Sequence, residues 1–340
     1  MKISININFS MNRHLLKSIC LVLFTGILFG CESEGKSHVT IRLAHSLDIQ
    51  HPVHKSLIYM NDELKRLSNN QMDMVLFPSG QLGSEREILE LIQIGSMGMT
   101  KVSASSLEAF VPEMKVFSLP YLFNNKEHLW QVLSGQIGQQ LLDAGIAYRV
   151  KGLGYFDAGS RSFYTTSQKV TKPDDLAGLK IRVMNSQSAV EMVNTMGGAA
   201  TPVSWGELYT ALQQGIVEGA ENNPPSFYFS KHYEVSKYYI LDEHSSIPDV
   251  IVIGTHIWNG LSEQQQQWLT QAMSLATEYQ KVLWAQSTAM SLKKVQEAGV
   301  QVLTADKSLF QKSVEPIYKK FEQTKLQSLI TAIKSREGKS

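Results

Sequence analysis

Arg182 is the residue whose type and position say most about the chemistry of this chain. It lies in the segment GLKIRV, where apolar and polar residues alternate with the period of a strand that has one buried face. Asn185 or Ser186 then caps a helix, so the arginine is placed at the carboxyl end of a strand, where open α/β sheets bind ligands. Its planar, permanently charged fork suits a carboxylate in bidentate geometry, and the competing interpretation is a structural salt bridge.

Two acidic residues begin a second predicted helix. Ser84 and Glu87 form an S-x-x-E capping box, which gives Glu87 a structural role. Glu85 is freer to point towards a ligand. A carboxylate there could accept hydrogen bonds from sugar hydroxyls and would repel a second carboxylate on the ligand. Glu85 therefore favours a hydroxylated monoacid over a dicarboxylic acid.

Histidines, serines and a tryptophan give further candidates. His45 ends the first predicted strand, and we predict that it contacts ligand, although a lone histidine is often structural. His51 and His54 have a spacing compatible with metal binding, but no Cys, Asp or Glu is spaced to complete a site, so we predict neither metal nor cofactor. Ser105, in a loop after a strand, is the preferred hydroxyl. Trp205 either stacks on a sugar ring or only packs its own helix.

Composition and motifs narrow the function classes. The chain has 340 residues, a formal net charge of +1 and 43% hydrophobic residues, which fits two domains with real cores and gives no reason to propose nucleic acid as a partner. It has no G-x-S-x-G, no Walker loop and no G-x-G-x-x-G after a strand. We therefore predict a binding protein rather than an enzyme.

The first 31 residues have the pattern of an export signal. A basic stretch that includes Arg13 and Lys17 precedes an apolar run, residues 19–29, which is too short to span a bilayer comfortably. The run ends in LFGC, a lipoprotein cleavage box that predicts acylation of Cys31; ordinary secretion is the alternative. Cys20 is the only other cysteine, so the body of the protein can form no disulfide.

The rest of the chain alternates predicted strands and helices, which indicates an α/β fold with parallel sheets and helices on both faces. Predicted strands include residues 40–44, 72–77, 153–155, 179–184 and 250–253. A second capping box, Ser204 with Glu207, is predicted to start the helix 205–214. Ser262 with Gln265 is predicted to cap a helix of about 54 Å over residues 263–298, long enough to lie across two domains.

Four segments in this order and spacing resemble the extracytoplasmic solute-binding subunits of TRAP transporters, the DctP family. They are FPSGQLGSEREILELIQIG from Phe77, FSLPYLF from Phe117, GLKIRV from Gly178 and PVSWGELYTALQQGIVEGAENN from Pro202. The resemblance extends from about Val39 to about Leu329. It implies a two-lobed, periplasmic-binding-protein-like fold with the ligand cleft between the lobes and the long helix as a spine. Lobe one would contain residues 39–157 and 248–290, and lobe two residues 158–247 and 291–335.

The same resemblance assigns roles to single residues. The arginine that matches Arg182 pairs with the substrate carboxylate, and the one that matches Arg161 supports it, unless Arg161 instead forms a salt bridge between the lobes with an acid such as Asp157. Asn222 matches the asparagine that orients this carboxylate, with a register uncertain by one position because Asn223 follows. Glu85 matches an acidic contact of sugar-acid binders in the family.

The resemblance also implies a function. The chain is expected to bind an organic acid, most similar to a hexuronate such as glucuronate or galacturonate, outside the cytoplasm and to deliver it to TRAP permease subunits in the membrane. C4-dicarboxylates or other sugar acids are alternative ligands. A ligand-presenting sensor of a signalling system and, less favoured, a sugar-acid lyase or isomerase are alternative functions.

Overall fold

The structure, a computed structural model, describes residues 3–4 and 38–336. Within residues 38–336, two β-sheets with helices packed around them form the fold. The predicted export signal and Cys31 lie outside the described residues. The first sheet has the strand order β2-β1-β3-β10-β4. Its strands are β1 Val39–Ala44, β2 Met72–Phe77, β3 Met99–Ser103, β4 Val150–Phe156 and β10 Asp249–Gly254.

The second sheet has six strands in the order β11-β9-β5-β8-β6-β7. Its strands are β5 Ser162–Thr165, β6 Lys180–Val183, β7 Ala199–Pro202, β8 Gly219–Asn222, β9 Tyr238–Leu241 and β11 Gln301–Thr304. The chain thus passes from the first sheet to the second between β4 and β5, returns between β9 and β10, and reaches the second sheet again at β11.

Both sheets are mixed, which corrects the prediction of parallel sheets. In the first sheet β10 runs antiparallel to β3 and β4. In the second, β5 runs antiparallel to β8 and β9. Each antiparallel strand is the one that the chain enters directly after crossing between sheets. The chain therefore begins the strand at the edge where the parallel strands end, and it must run in the opposite direction.

Helices cover the faces of these sheets. Before the second crossing they are α1 Pro52–Leu67, α2 Glu85–Gln93, α3 Ala104–Leu107, α4 Lys126–Leu133, α5 Gln136–Ala144, α6 Gln187–Thr195, α7 Leu208–Gln213 and α8 Pro224–Phe229. After it they are α9 Thr255–Trp258, α10 Glu263–Glu297, α11 Lys307–Ser313, α12 Glu315–Lys319 and α13 Lys325–Lys334. None of the described helices is long and apolar enough to cross a membrane.

Capping explains where several helices begin. The boxes predicted at Ser84 with Glu87 and at Ser262 with Gln265 are both present. The box predicted at Ser204 is not formed, because the Ser204 hydroxyl bonds the Glu207 side chain and accepts no backbone N–H. The backbone there makes one 3-10 turn, Trp205–Glu207, before α7 begins, so the predicted helix is shorter than expected.

The long helix α10 touches elements of both sheets. It packs against α1, which follows β1, and against α8, which follows β8. Gln280, in its middle, is fully buried and makes two hydrogen bonds of 2.8 Å to the backbone N–H and C=O of Asp157, the first residue after β4. The helix is therefore fixed to the segment where the chain crosses between sheets, as the resemblance implied for a spine.

The last helix, α13, lies on the side of the first sheet. It packs on the 3-10 helix Pro112–Ser118, and the backbone carbonyl of Ile333 lies 3.0 Å from Nε2 of His128 in α4. The sequence analysis placed residues up to 335 in lobe two, whereas these contacts involve residues that it placed in lobe one. The lobe boundaries stay a prediction.

Candidate functional site

A cavity of about 280 Å³ lies between the two sheets. It is lined by residues at the carboxyl ends of parallel strands and at the starts of the antiparallel ones, because all of these ends meet at the same place. The charged and amide side chains that line it include Glu85, Lys101, Asp249, Arg161, Arg182 and Asn222. The first three come from the first sheet and α2, and the last three come from the second sheet.

Arg182, in β6, is buried with 2% of its surface exposed. Its Nε donates to the backbone carbonyl of Val203 at 2.8 Å, and its guanidinium lies 5.7 Å from the centre of the Trp205 ring. Nη1 is buried without a hydrogen-bond partner among the described residues, and none of their ion pairs includes Arg182. Burial lowers the pKa of this guanidinium. A buried cation without a counter-ion is costly, and an anionic ligand would remove that cost.

Arg161 has a different environment, although it lines the same cavity. Its Nε and Nη2 donate to the two carboxylate oxygens of Glu221 at 2.5 and 2.9 Å, in bidentate geometry. Nη1 donates to Oδ1 of Asn222 at 2.9 Å. Burial by itself lowers the pKa of Arg161, but the Glu221 carboxylate raises it overall. Arg161 does form a salt bridge, but with Glu221 of its own sheet and not between the lobes. Asp157 instead pairs with Lys126 at 2.7 Å.

Glu221 also belongs to a chain of buried charges behind Arg161. Nε2 of His244 lies 3.4 Å from Glu221, and Nδ1 of His244 lies 2.6 Å from Asp242. Burial would raise the pKa of Glu221, but Arg161 and His244 lower it to about 2. Burial would lower the pKa of His244, but Asp242 and Glu221 raise it to about 9. Arg161, Glu221, His244 and Asp242 thus form a row in which cations and anions alternate. Glu221 both fixes the position of Arg161 and neutralises its charge.

Asn222 ends β8 beside Arg161 and lines the cavity. Its Oδ1 accepts from Arg161 and from the backbone N–H of Asn223, which leaves the amide NH₂ as the part of this side chain that can donate to a ligand. The Asn223 side chain caps α8 by accepting from the N–H of Ser226 at 2.8 Å. These contacts favour Asn222 over Asn223 as the residue that orients a carboxylate.

Glu85 lines the cavity from the side of the first sheet and is paired there with a buried lysine. Nζ of Lys101 donates to Glu85 at 2.9 Å and to Asp249 at 3.1 Å. Burial raises the pKa of Glu85 by itself, but Lys101 lowers it overall. Burial raises the pKa of Asp249, and Lys101 offsets this only in part. Two carboxylates thus share one ammonium, and the side of the cavity formed by the first sheet is rich in hydrogen-bond acceptors.

His45 and Ser105 do not line the cavity, so the structure does not bring them together with the other predicted site residues. Nε2 of His45 lies 2.9 Å from Nδ1 of His54, and Nδ1 of His45 accepts from the N–H of Leu47. Burial, with smaller effects of Lys101 and His54, lowers the pKa of His45 to about 3. The Ser105 hydroxyl is fully buried and accepts from Ser118. The neighbouring Ser46, Ser103 and Ser106 line the cavity instead.

His51 also has structural contacts. The His51 side chain caps α1 and packs near the rings of Trp284 and Phe229. Within residues 38–336, no three His, Cys, Asp or Glu side chains are grouped as they would be around a metal ion.

The sequence analysis missed Lys101, Asp249 and Glu221. Each lies in a strand whose residue pattern predicts burial in the core, and each is buried. The available signal was the charge itself: Lys101 and Glu221 each interrupt a run of small or apolar residues in a fully buried strand, a position where a charged residue needs a partner.

Comparison with known proteins gives one consistent result. Residues 43–324 match the family described as DctP, bacterial extracellular solute-binding protein, family 7. A solute-binding protein of Chromohalobacter salexigens is 34% identical over 85% of this chain and 87% of its own length. A C4-dicarboxylate-binding periplasmic protein of Rhodobacter capsulatus is 26% identical over 87% of this chain and 90% of its own.

Solved structures agree in fold over nearly their whole length. A TRAP periplasmic solute-binding protein of Xanthobacter autotrophicus, with bound β-D-galacturonate, superposes with a TM-score of 0.84 at 37% identity. The match covers 87% of this chain and 99% of the other. A TRAP periplasmic solute-binding protein of Pseudomonas putida, with bound D-glucuronate, gives a TM-score of 0.84 at 33% identity and covers 88% and 98% of the two chains.

Proposed function

Because this chain belongs to the DctP family of bacterial extracellular solute-binding proteins, we propose that it binds a hexuronate, such as D-glucuronate or D-galacturonate, and delivers it to TRAP permease subunits. The family places the protein outside the cytoplasm. The observation that carries the ligand proposal is the difference between the two sides of the cavity: on the side of the second sheet an arginine has no counter-ion among the described residues, and on the side of the first sheet two carboxylates share one lysine.

Arg182 and Asn222 would hold the ligand carboxylate. Arg182 supplies the positive charge, and its buried Nη1 is a donor without a partner among the described residues. Asn222 supplies an amide donor whose position is fixed by Arg161. Arg161 itself is neutralised by Glu221, so in this proposal it positions Asn222 and completes the wall of the site.

Glu85, Lys101 and Asp249 would bind the hydroxyls of the sugar. Two carboxylates that share one lysine leave oxygens able to accept hydrogen bonds from hydroxyl groups. The pair would repel the second carboxylate of succinate or malate, since one ammonium cannot neutralise two anions. This charge balance favours a hydroxylated monoacid over the C4-dicarboxylates named for more distant relatives.

A panel of ligands tests this proposal. Differential scanning fluorimetry with D-glucuronate, D-galacturonate, succinate and malate should give the larger rise in Tm with the uronates, because a ligand that binds only the folded state stabilises it by mass action. A larger rise with succinate or malate would move the assignment to C4-dicarboxylate uptake. If none of the four ligands raises Tm, the proposal that the protein binds a hexuronate is contradicted.

We also propose that the mature chain is a lipoprotein attached through Cys31. The support is the LFGC sequence at the end of the apolar run, 19–29, and the absence of any cysteine after it. Cys31→Ser should release the protein from membrane fractions. If the variant and the unmodified chain partition alike, the protein is not anchored through this residue.

A further inference from the structure

Glu108 connects the two sides of the cavity without lining it. It caps the C-terminus of α3, the short helix that directly follows β3 of the first sheet, and 8% of its surface is exposed. Its Oε1 accepts from the Ser186 hydroxyl at 2.7 Å and from the backbone N–H of Ser188 at 3.0 Å. Ser186 is the N-cap of α6, on the second sheet, and Ser188 lies in the first turn of this helix. A carboxylate of one half therefore binds the N-terminus of a helix of the other.

This helix N-terminus is joined directly to the ligand-binding strand. Arg182 lies in β6, Met184 and Asn185 line the cavity, and Ser186 caps α6. The Ser186 hydroxyl donates to Glu108 and accepts from the N–H of Ala189 at 3.0 Å. Three residues thus separate Arg182 from Ser186, the first residue that Glu108 binds.

We propose that Glu108 is a positioning residue for ligand binding. It holds the β6–α6 segment, and with it Arg182, in place when the halves of the protein built on the two sheets are in contact across the cavity, which is the closed form. This role rests on the proposed site but not on the identity of the ligand. Separating the halves would break both hydrogen bonds and remove the anion from a helix N-terminus, where negative charge is favourable. Hydrogen bonds to charged groups are among the stronger ones in proteins, so the contact favours the closed form.

The consequence for binding follows from linkage between closure and affinity. A ligand that contacts both halves binds the closed form, and its apparent affinity falls by the fraction of protein that can close. Loss of the Glu108 contacts should therefore speed ligand release, whereas the relative affinities for different ligands should not change, because Glu108 does not line the cavity.

The test is a double-mutant cycle in the purified protein with Glu108→Gln, Ser186→Ala and the combined variant. With D-glucuronate as probe, Glu108→Gln should raise Kd by about tenfold, mainly through the dissociation rate measured by stopped-flow fluorescence. The loss of affinity in the combined variant should be smaller than the sum of the two single losses, since both substitutions act on the hydrogen bond between Glu108 and Ser186. Glu113→Gln, which removes an exposed acid five residues further on, is the matched control and should bind as wild type does.

Three results would overturn the proposal: an unchanged dissociation rate, strictly additive effects in the cycle, or a changed ratio of Kd values for D-glucuronate and D-galacturonate. If wild type binds neither uronate, the proposed ligand class has failed, and the same cycle is run with succinate. Small-angle X-ray scattering of the ligand-free proteins tests the same contact without any ligand. Glu108→Ala should give a larger radius of gyration than wild type, and an equal radius would count against the contact.

Discussion

Arg161 and Arg182 line the same cavity, but only Arg161 has a counter-ion among the described residues. Glu221 binds Arg161 through two hydrogen bonds, whereas Arg182 donates to a backbone carbonyl and lies beside the Trp205 ring. The structure therefore separates two roles that the residue type alone does not distinguish. One arginine is part of the framework, and the other can accept a new anion.

Arg182→Lys keeps the charge but loses the planar fork. We expect Kd for D-glucuronate to rise at least about tenfold, which corresponds to about 1.4 kcal/mol, with little change in Tm of the ligand-free protein. Isothermal titration calorimetry measures the first quantity and scanning fluorimetry the second. Arg66→Lys, at an exposed arginine of α1, is the control. Affinity close to that of wild type in Arg182→Lys would show that the ligand carboxylate does not bind at Arg182.

Glu85→Gln removes one of the two carboxylates beside Lys101. Uronate binding should weaken, because an acceptor of sugar hydroxyls loses its charge, and succinate should be disfavoured less. Scanning fluorimetry with both ligands measures the two effects together. Glu90→Gln, an exposed acid of the same helix, should alter neither. Unchanged responses in Glu85→Gln would mean that Glu85 does not face the ligand.

Lys101→Met leaves the carboxylates of Glu85 and Asp249 without their shared cation. We expect the free energy of unfolding to fall by about 3–5 kcal/mol at pH 7, the usual cost of removing one partner of a buried ion pair. Urea denaturation measures this change, and Lys55→Met, at an exposed lysine of α1, supplies the comparison. A loss below about 1 kcal/mol would show that the carboxylates do not depend on Lys101.

His244 should make the fold sensitive to alkaline pH. Since Asp242 and Glu221 raise its pKa in the folded protein to about 9, above the ordinary 6.5, protonated His244 stabilises the fold fully below pH 6.5. This contribution is lost as the pH rises through about 9, and its size is on the order of 3 kcal/mol. Urea denaturation between pH 6 and 10 should show the decline in wild type and a flatter profile in His244→Gln.

His256→Gln, at an exposed histidine, should keep the wild-type pH profile. Parallel profiles for wild type and His244→Gln would mean that the buried histidine carries no charge in the folded protein.

Gln280→Leu tests the contact between the long helix and the crossing segment. Both hydrogen bonds to the backbone of Asp157 would be lost, leaving a buried N–H and C=O without partners, so the free energy of unfolding should fall by about 1–3 kcal/mol for each group. Gln264→Leu, at an exposed position of the same helix, should have little effect. A Gln280→Leu protein as stable as wild type would show that the backbone finds other partners.

Local patterns predicted much of this structure. The alternation around Arg182, the capping boxes at Ser84 and Ser262 and the uninterrupted periodicity of α10 depend on residues close in the chain, and the structure agrees with them. The family resemblance is confirmed by the comparisons. The direction of β5 and β10 was not predicted, because it depends on where the chain crosses and not on the side chains of either strand.

The ion-pair partners of the charged residues in the cavity could not be predicted from local sequence patterns either, because each partner lies far away in the chain. Glu221 is 60 residues from Arg161, and Lys101 is 148 residues from Asp249. Sequence spacing shows that each buried charge needs a partner but not which residue supplies it. His45 directly follows β1, as expected, yet its Nε2 lies 2.9 Å from Nδ1 of His54 in α1, a contact that strand periodicity does not predict.

The position of β10 has a consequence for how the chain reaches its native state. In the described sheets, β3 and β4 pair with β10 on facing sides and not with each other, so β4 has no neighbour in its sheet until residues 249–254 have been made. The second sheet likewise lacks β11 until residues 301–304 follow. Pairings between such distant segments raise contact order and slow folding. The first sheet can therefore be completed only after about three quarters of the sequence has been made, and a shorter nascent chain leaves strand edges open to chaperones or to aggregation.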